Sequence, residues 1–131
     1  MELLVTDEVI FMAFLKKSAL FTVGGLGYVG LELVWRGYSH GSMFLAGGSC
    51  FLLLGKLDRA LRRKNILLRG IAGAGVVTAV ELTAGILANR RYTVWDYRDM
   101  PLNFRGQICL PFALAWIPVS LSGMYLYRKL N

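Results

Sequence analysis

The sequence predicts an all-α membrane protein: a single-domain bundle of four transmembrane helices with an N-terminal interfacial helix. Hydrophobic residues make up 56% of the 131 residues, and the mean hydropathy is +0.52. A soluble domain typically reaches ~45–50% apolar content even when glycine is included. The apolar residues form long runs separated by short charged blocks. Because lipid offers the backbone no hydrogen bonds, and no run alternates like a barrel strand, these runs are predicted to be helical.

The first fifteen residues form an apolar stretch that is interrupted by polar residues at 6–8. Its length suits a helix that lies in the membrane interface. Lys16 and Lys17 follow, and they would lie deep in hydrocarbon if this stretch continued the first span. We therefore predict an interfacial helix over 1–15. Spans of about 20 residues are then predicted at about 18–35, 41–57, 66–88 and 107–127.

The distribution of basic residues predicts the orientation in the membrane. Residues 56–69 contain six basic side chains against the single acid Asp58. By the positive-inside rule this loop is cytoplasmic, and both termini lie on the same side of a multi-pass cell-membrane protein. The charges behind the net charge of +7 lie in short blocks between long apolar runs, and no soluble helix with a face of alternating basic and aromatic residues is indicated. This argues against a nucleic-acid partner and for the lipid bilayer.

Small residues recur every third or fourth position in three of the predicted spans. Such stripes let helix backbones approach closely in lipid. They favour packing within the chain and are compatible with a homo-oligomer. The stripes are Gly24, Gly27 and Gly30; Ser42, Ala46 and Cys50; and Gly70, Ala74 and Thr78.

Two acidic residues, Glu32 and Glu81, lie inside predicted spans. An ionisable group there costs a few kcal/mol and usually faces the bundle interior or a polar cavity. In the predicted topology both glutamates belong to the outer half of the membrane, where further polar residues collect. We predict one polar cluster, a candidate ligand-binding site, formed by Glu32, His40, Glu81, Asp96, Asn103 and Arg105.

Structural roles compete with this interpretation. Glu32 can pair with Arg36 one turn later on the same helix. Glu81 has no base three or four residues away, so its partner must come from another helix. His40 suits a structural hydrogen bond as well as it suits a ligand. The sequence identifies neither a metal nor a cofactor.

Three segments carry a resemblance to a known family. They are ELTAGIL at 81–87, WDY at 95–97 and MPLNFRGQICL at 100–110. Together with Glu32 and the RGYSHGS run at 36–42, they resemble the small membrane proteins of the putative ABC-transporter type IV, or CmpB-like, family. The resemblance covers about residues 20–127. Ser42 and Arg98 depart from the family pattern, which has proline and serine at these positions.

The resemblance implies a transport-related membrane component. The positions of the two glutamates in the predicted spans suggest that they line an outward-facing polar cavity in it. The chain contains no GxxxxGK[ST] nucleotide-binding loop, so a separate ATPase subunit would be required. Four helices are also few for a permease, which favours an oligomer. The first alternative is a structural or regulatory membrane protein. An intramembrane metal-dependent enzyme is the least favoured alternative.

Overall fold

The structure is a computed structural model that describes residues 2–131, so that Met1 lies outside the described residues. Four helices account for most of the chain: α1 (Glu2–Arg36), α2 (Gly41–Ala60), α3 (Ile66–Ala88) and α4 (Leu110–Leu130). Strands β1 (Asn103–Phe104) and β2 (Ile108–Cys109) form a small antiparallel hairpin before α4. The predicted all-α class is therefore confirmed, with this hairpin as an addition.

The prediction of a separate interfacial helix over 1–15 is wrong for the described residues. Helix α1 runs without interruption for 35 residues from Glu2. Its first 22 residues contain no proline or glycine, and Lys16 and Lys17 are good helix formers. A helix of this length extends for about 52 Å, well beyond the ~30 Å of a hydrocarbon core. The lysines can therefore lie at the membrane boundary while the helix continues past them.

Three of the four helices are long and apolar enough to cross a membrane: α1, α3 and α4. Helix α2 has 20 residues, and its last turns contain Lys56, Asp58 and Arg59. Its position in the bundle is nevertheless central, because it contacts each of the other three helices. Helix α1 packs mainly against α2, and α3 packs mainly against α4.

Glycine makes the contact between α1 and α2 close. A Cβ atom added to Gly24 would lie 2.9 Å from the carbonyl oxygen of Gly47, and one added to Gly47 would lie 2.9 Å from that of Gly24. The neighbouring glycines, Gly25 and Gly48, accommodate aromatic rings from the opposite helix. By contrast, Gly27 has open space around it. The first predicted stripe is thus used at Gly24 but not along its whole length.

Helix α4 begins at Leu110, three residues later than predicted, and Gln107 belongs to the preceding hairpin. Two residues of the hairpin turn, Arg105 and Gly106, have positive φ angles of 55° and 66°, which no helix accommodates. Pro111 then falls in the first turn of α4, where its missing N–H leaves no helical hydrogen bond unmade.

The end of the bundle opposite to Glu32 is held by a buried carboxylate. Asp58, 2% exposed, lies in the last turns of α2. It accepts hydrogen bonds of 2.6 Å from Arg69 on α3 and from Arg128 on α4. Arg62 lies 3.7 Å away in the loop that follows α2. Asp58 therefore joins three helices at one point, and we call this region the Asp58 end.

Candidate functional site

A chain made of one ion pair and two hydrogen bonds connects Glu32 to Glu81. On α1, Nε of Arg36 lies 3.3 Å from Oε2 of Glu32. The same guanidinium donates to the hydroxyl of Tyr97 at 3.1 Å. Tyr97 in turn donates its hydroxyl hydrogen to Oε2 of Glu81 on α3, also at 3.1 Å. We call these four residues, Glu32, Arg36, Tyr97 and Glu81, the glutamate network.

The local sequence explains how α1 contributes two members of the network. Glu32 and Arg36 are four residues apart, so their side chains lie on one face of the helix. Arg36 is the last residue of α1, where a cation favours the helix dipole and where its side chain can reach the segment after α3. It also donates to the carbonyl oxygen of Val94 at 3.3 Å.

Tyr97 is positioned by aromatic packing. Its ring stacks on that of Phe112 with 4.8 Å between centroids and 12° between planes. The Trp95 ring lies 6.4 Å away at a tilt of 40°. Burial, together with the charge of Glu81, raises the pKa of Tyr97 above its ordinary value. The hydroxyl therefore remains protonated and acts as the donor to Glu81.

The segment that carries Tyr97 is held by two buried amides. Asn89, fully buried at the end of α3, donates to the carbonyl oxygen of Trp95 at 2.6 Å and to Oε1 of Gln107 at 2.9 Å. Its own Oδ1 accepts the backbone N–H groups of Val94 and Trp95. Gln107 returns a bond of 2.9 Å to the carbonyl oxygen of Asn89. These bonds satisfy buried backbone groups and fix the path of the segment toward the glutamates.

The network is buried and its charges do not balance. Glu81 is 6% exposed, and the side chains of Glu32 and Arg36 are 12% and 16% exposed. Two carboxylates therefore share one guanidinium and one neutral phenol. In an environment of low dielectric constant, an unpaired charge costs several kcal/mol. Such an arrangement favours binding one further positive charge, either a proton or a cation.

A groove opens beside the network between α1 and α4. The part of this groove beside Glu32 is a pocket of about 220 Å³, which is lined by Glu32 together with Tyr28, Trp35 and Trp116. The rings of Tyr28 and Trp116 lie 5.9 Å apart across this groove. Glu32 thus has access to a cavity, whereas Glu81 is enclosed behind Tyr97.

Sequence comparison places the chain in a family. Residues 19–130 match the family model described as putative ABC-transporter type IV. The chain belongs to this family. The resemblance found in the sequence is thereby confirmed. No curated protein and no solved structure is significantly similar to the chain.

In this member of the putative ABC-transporter type IV family, the other four predicted site residues make contacts of their own. His40 caps α2, because its Nδ1 accepts the backbone N–H of Ser42 at 3.1 Å. Asp96 pairs with Arg98 at 2.7 Å near the surface. The hydrogen bonds from Arg98 lower the pKa of Asp96. The structure therefore brings Glu32 and Glu81 into one network and uses His40 and Asp96 locally.

Asn103 and Arg105 belong to the hairpin. The Asn103 side chain donates to the carbonyl oxygens of Arg98 and Met100 and accepts the N–H of Gly106 at 3.0 Å. Arg105 lines a separate surface pocket of about 340 Å³. Among residues 2–131, no three His, Cys, Asp or Glu side chains lie close enough together to hold a metal ion.

Sequence reasoning missed two residues that organise the site, Tyr97 and Asn89. Tyr97 belongs to the run Trp95-Asp96-Tyr97, and aromatic residues beside a predicted span are equally typical of a membrane-interface belt. Asn89 directly follows the last apolar residue of α3, a position where asparagine often ends a helix. That signal would have indicated the end of α3 but not the bonds to Gln107, which is 18 residues further along the chain.

Proposed function

We propose that the chain is a multi-pass cell-membrane component of a transport system, crossing the bilayer four times with both termini cytoplasmic. The family and the three long apolar helices support the membrane setting. The contacts of α2 with all three other helices support a fourth crossing, because a bilayer that surrounds them would surround α2 as well. The basic residues at the Asp58 end support a cytoplasmic position for that end.

We further propose that the glutamate network takes up the proton or small cation involved in transport. The single observation that carries this proposal is the charge imbalance of the glutamate network, in which the two carboxylates of Glu32 and Glu81 stand against the one guanidinium of Arg36. Arg36 pairs with Glu32 and is connected to Glu81 only through the hydroxyl of Tyr97. If both carboxylates are ionised, the network has one excess negative charge in a poorly solvated place. A bound proton or cation removes that cost, and its release restores the cost.

The groove beside Glu32 supplies a route to the network. Its pocket of about 220 Å³ is well above the ~10–15 Å³ of cavity space that one water molecule needs. In this proposal the pocket is the outward-facing cavity. Its lining is mainly apolar and aromatic, and Glu32 supplies the carboxylate that an entering ion meets first. Several copies of the chain would form a pathway through which the ion moves down its gradient. A separate ATPase subunit would supply energy only for transport against the gradient.

The test is a flux measurement on the full chain in liposomes that enclose a pH-sensitive dye. A pH gradient is imposed, with a potassium ionophore present to balance charge. We expect wild-type protein to accelerate proton entry over protein-free liposomes. The Glu81→Gln variant should return the rate to that of protein-free liposomes, because the amide cannot be ionised. Replacing the dye and gradient by those for sodium or potassium tests the cation.

The matched control is Asp96→Asn, which removes an exposed carboxylate near the same end of the bundle. We expect this variant to keep the wild-type rate. Infrared spectroscopy of the protein in lipid should also show a protonated carboxyl band at neutral pH that Asp96→Asn retains. Absence of flux in wild type, or equal flux in wild type and Glu81→Gln, would refute transport through this network.

One observation favours a structural role as the second candidate. Every member of the network is already bonded to another member, and Glu81 is enclosed. In that case the carboxylates connect α1 to α3 and exchange nothing with solution. Glu81→Gln would then lower the stability of the protein and leave proton permeability unchanged.

A further inference from the structure

We propose that the Asp58 end of the bundle binds the phosphate of an anionic phospholipid headgroup. A pocket of about 300 Å³ lies there between the ends of α2 and α4. Three guanidinium groups line it, those of Arg59, Arg62 and Arg128, and Asp58 forms part of its wall. This site is separate from the glutamate network, and the inference does not depend on ion transport.

The first argument is the charge at this end. The carboxylate of Asp58 accepts bonds from Arg69 and Arg128, and Arg62 lies 3.7 Å from it. One negative charge therefore faces three positive charges. Arg59 adds a fourth. The four guanidinium groups and the one carboxylate leave three positive charges. The C-terminal ends of α2 and α4 contribute about half a negative charge each and the N-terminal end of α3 about half a positive charge. An excess of two to three positive charges, roughly, therefore remains for an external anion.

The second argument is the number of hydrogen-bond donors that face the pocket. A guanidinium has five N–H groups arranged in a planar fork. Arg128 uses its Nε and one terminal nitrogen on Asp58, and its side chain remains 43% exposed. The side chain of Arg62 is 56% exposed. The remaining N–H groups can bind phosphate oxygens, for which the guanidinium fork has a matching geometry.

The third argument concerns the source of the phosphate. The pocket lies where α4, one of the membrane-spanning candidates, ends. Apolar residues near that end, including Tyr125 and Leu126, are exposed on its surface. A lipid beside α4 would place its acyl chains on these residues and its headgroup at the level of the arginines. Basic pockets between membrane helices bind anionic headgroups in this way.

The experiment uses the full chain in detergent micelles, with bound lipid counted by native mass spectrometry during titration. The probes are short-chain phosphatidylglycerol, short-chain phosphatidylcholine and inorganic phosphate. We expect phosphatidylglycerol to bind about tenfold more tightly than phosphatidylcholine, because only the former is anionic. Inorganic phosphate is expected to compete weakly, since it lacks the acyl chains.

The test variant is the double substitution Arg59→Gln and Arg62→Gln, which should weaken phosphatidylglycerol binding about tenfold. The matched control is Arg63→Gln with Lys64→Gln. It removes the same charge from the loop that follows α2, at exposed positions that do not line the pocket. The control should change the affinity by less than about twofold. Arg59→Gln alone leaves the three arginines around Asp58 in place and serves as the milder variant.

Two results would overturn the proposal. Equal weakening by the test pair and the control pair would mean diffuse attraction by the whole basic loop. Binding of inorganic phosphate without any preference for phosphatidylglycerol would mean a site for a soluble anion. Loss of phosphatidylglycerol preference in Arg59→Gln alone, with the thermal unfolding temperature unchanged, would support the headgroup site.

Discussion

Replacing Gly24 by alanine should destabilise the protein, and the same replacement at Gly27 should not. The two glycines lie one turn apart on α1, and the substitution adds one methyl group in each case. At Gly24 the new Cβ would contact Cβ of Phe51 and lie 2.9 Å from the carbonyl oxygen of Gly47. At Gly27 no atom lies within 4 Å of the new Cβ.

The expected changes in the free energy of unfolding have opposite signs in the two variants. Alanine in place of glycine favours a helix by roughly 0.5–1 kcal/mol, and this gain applies at both positions. At Gly24 the helix backbones must separate, and overpacking of this kind typically costs about 1–3 kcal/mol. The free energy of unfolding should therefore fall by about 1–2 kcal/mol in Gly24→Ala and rise by about 0.5–1 kcal/mol in Gly27→Ala.

The assay is reversible unfolding in mixed micelles, in which the helical circular dichroism signal is followed as the fraction of denaturing detergent increases. Wild type and both variants are measured under identical lipid and detergent conditions. If Gly24→Ala is as stable as Gly27→Ala, α1 and α2 do not approach each other through Gly24 and Gly47.

Two further substitutions test the polar contacts. Asn89→Ala removes four buried hydrogen bonds around the segment after α3, and it should lower the free energy of unfolding by about 3–5 kcal/mol in the same assay. A loss below about 1 kcal/mol would contradict the organising role of this amide. Asp58→Asn keeps the shape but leaves three guanidinium groups without a carboxylate, and it should cost about 2 kcal/mol because those groups remain partly exposed. The control Asp96→Asn breaks an exposed ion pair and should leave the unfolding midpoint unchanged. Equal losses of stability in Asp58→Asn and Asp96→Asn would show that the burial of Asp58 does not strengthen its ion pairs.

Hydropathy predicted the helical class and located three helices within a few residues, because a long apolar run in lipid has few alternatives to a helix. It did not predict that α1 is continuous. A pair of lysines was interpreted as a boundary, but Lys16 and Lys17 carry no signal that ends a helix. The start of α4 was placed at Gln107, since an apolar sequence does not distinguish a short hairpin from a first helical turn.

The candidate site was predictable in part. Glu32 and Glu81 are conspicuous because carboxylates are rare in apolar spans, and Arg36 followed from helical spacing. Tyr97 could not be identified as the residue that connects them. Its position depends on a ring stacked on Phe112 and on a backbone path fixed by Asn89, both of which are contacts between distant parts of the chain.

The position of Tyr97 has a mechanical consequence. The molecule consists of two helical hairpins, α1 with α2 and α3 with α4. Arg36 belongs to the first hairpin and Glu81 to the second. The phenol of Tyr97 bridges them at the end of the bundle opposite to the Asp58 end. If the hairpins pivot about the Asp58 end, the opposite end separates first because it is farthest from the pivot. The bridge through Tyr97 then breaks before the apolar contacts in the middle of the bundle. The hydrogen bonds that Tyr97 makes to Arg36 and Glu81 would then resist the first step of such a separation.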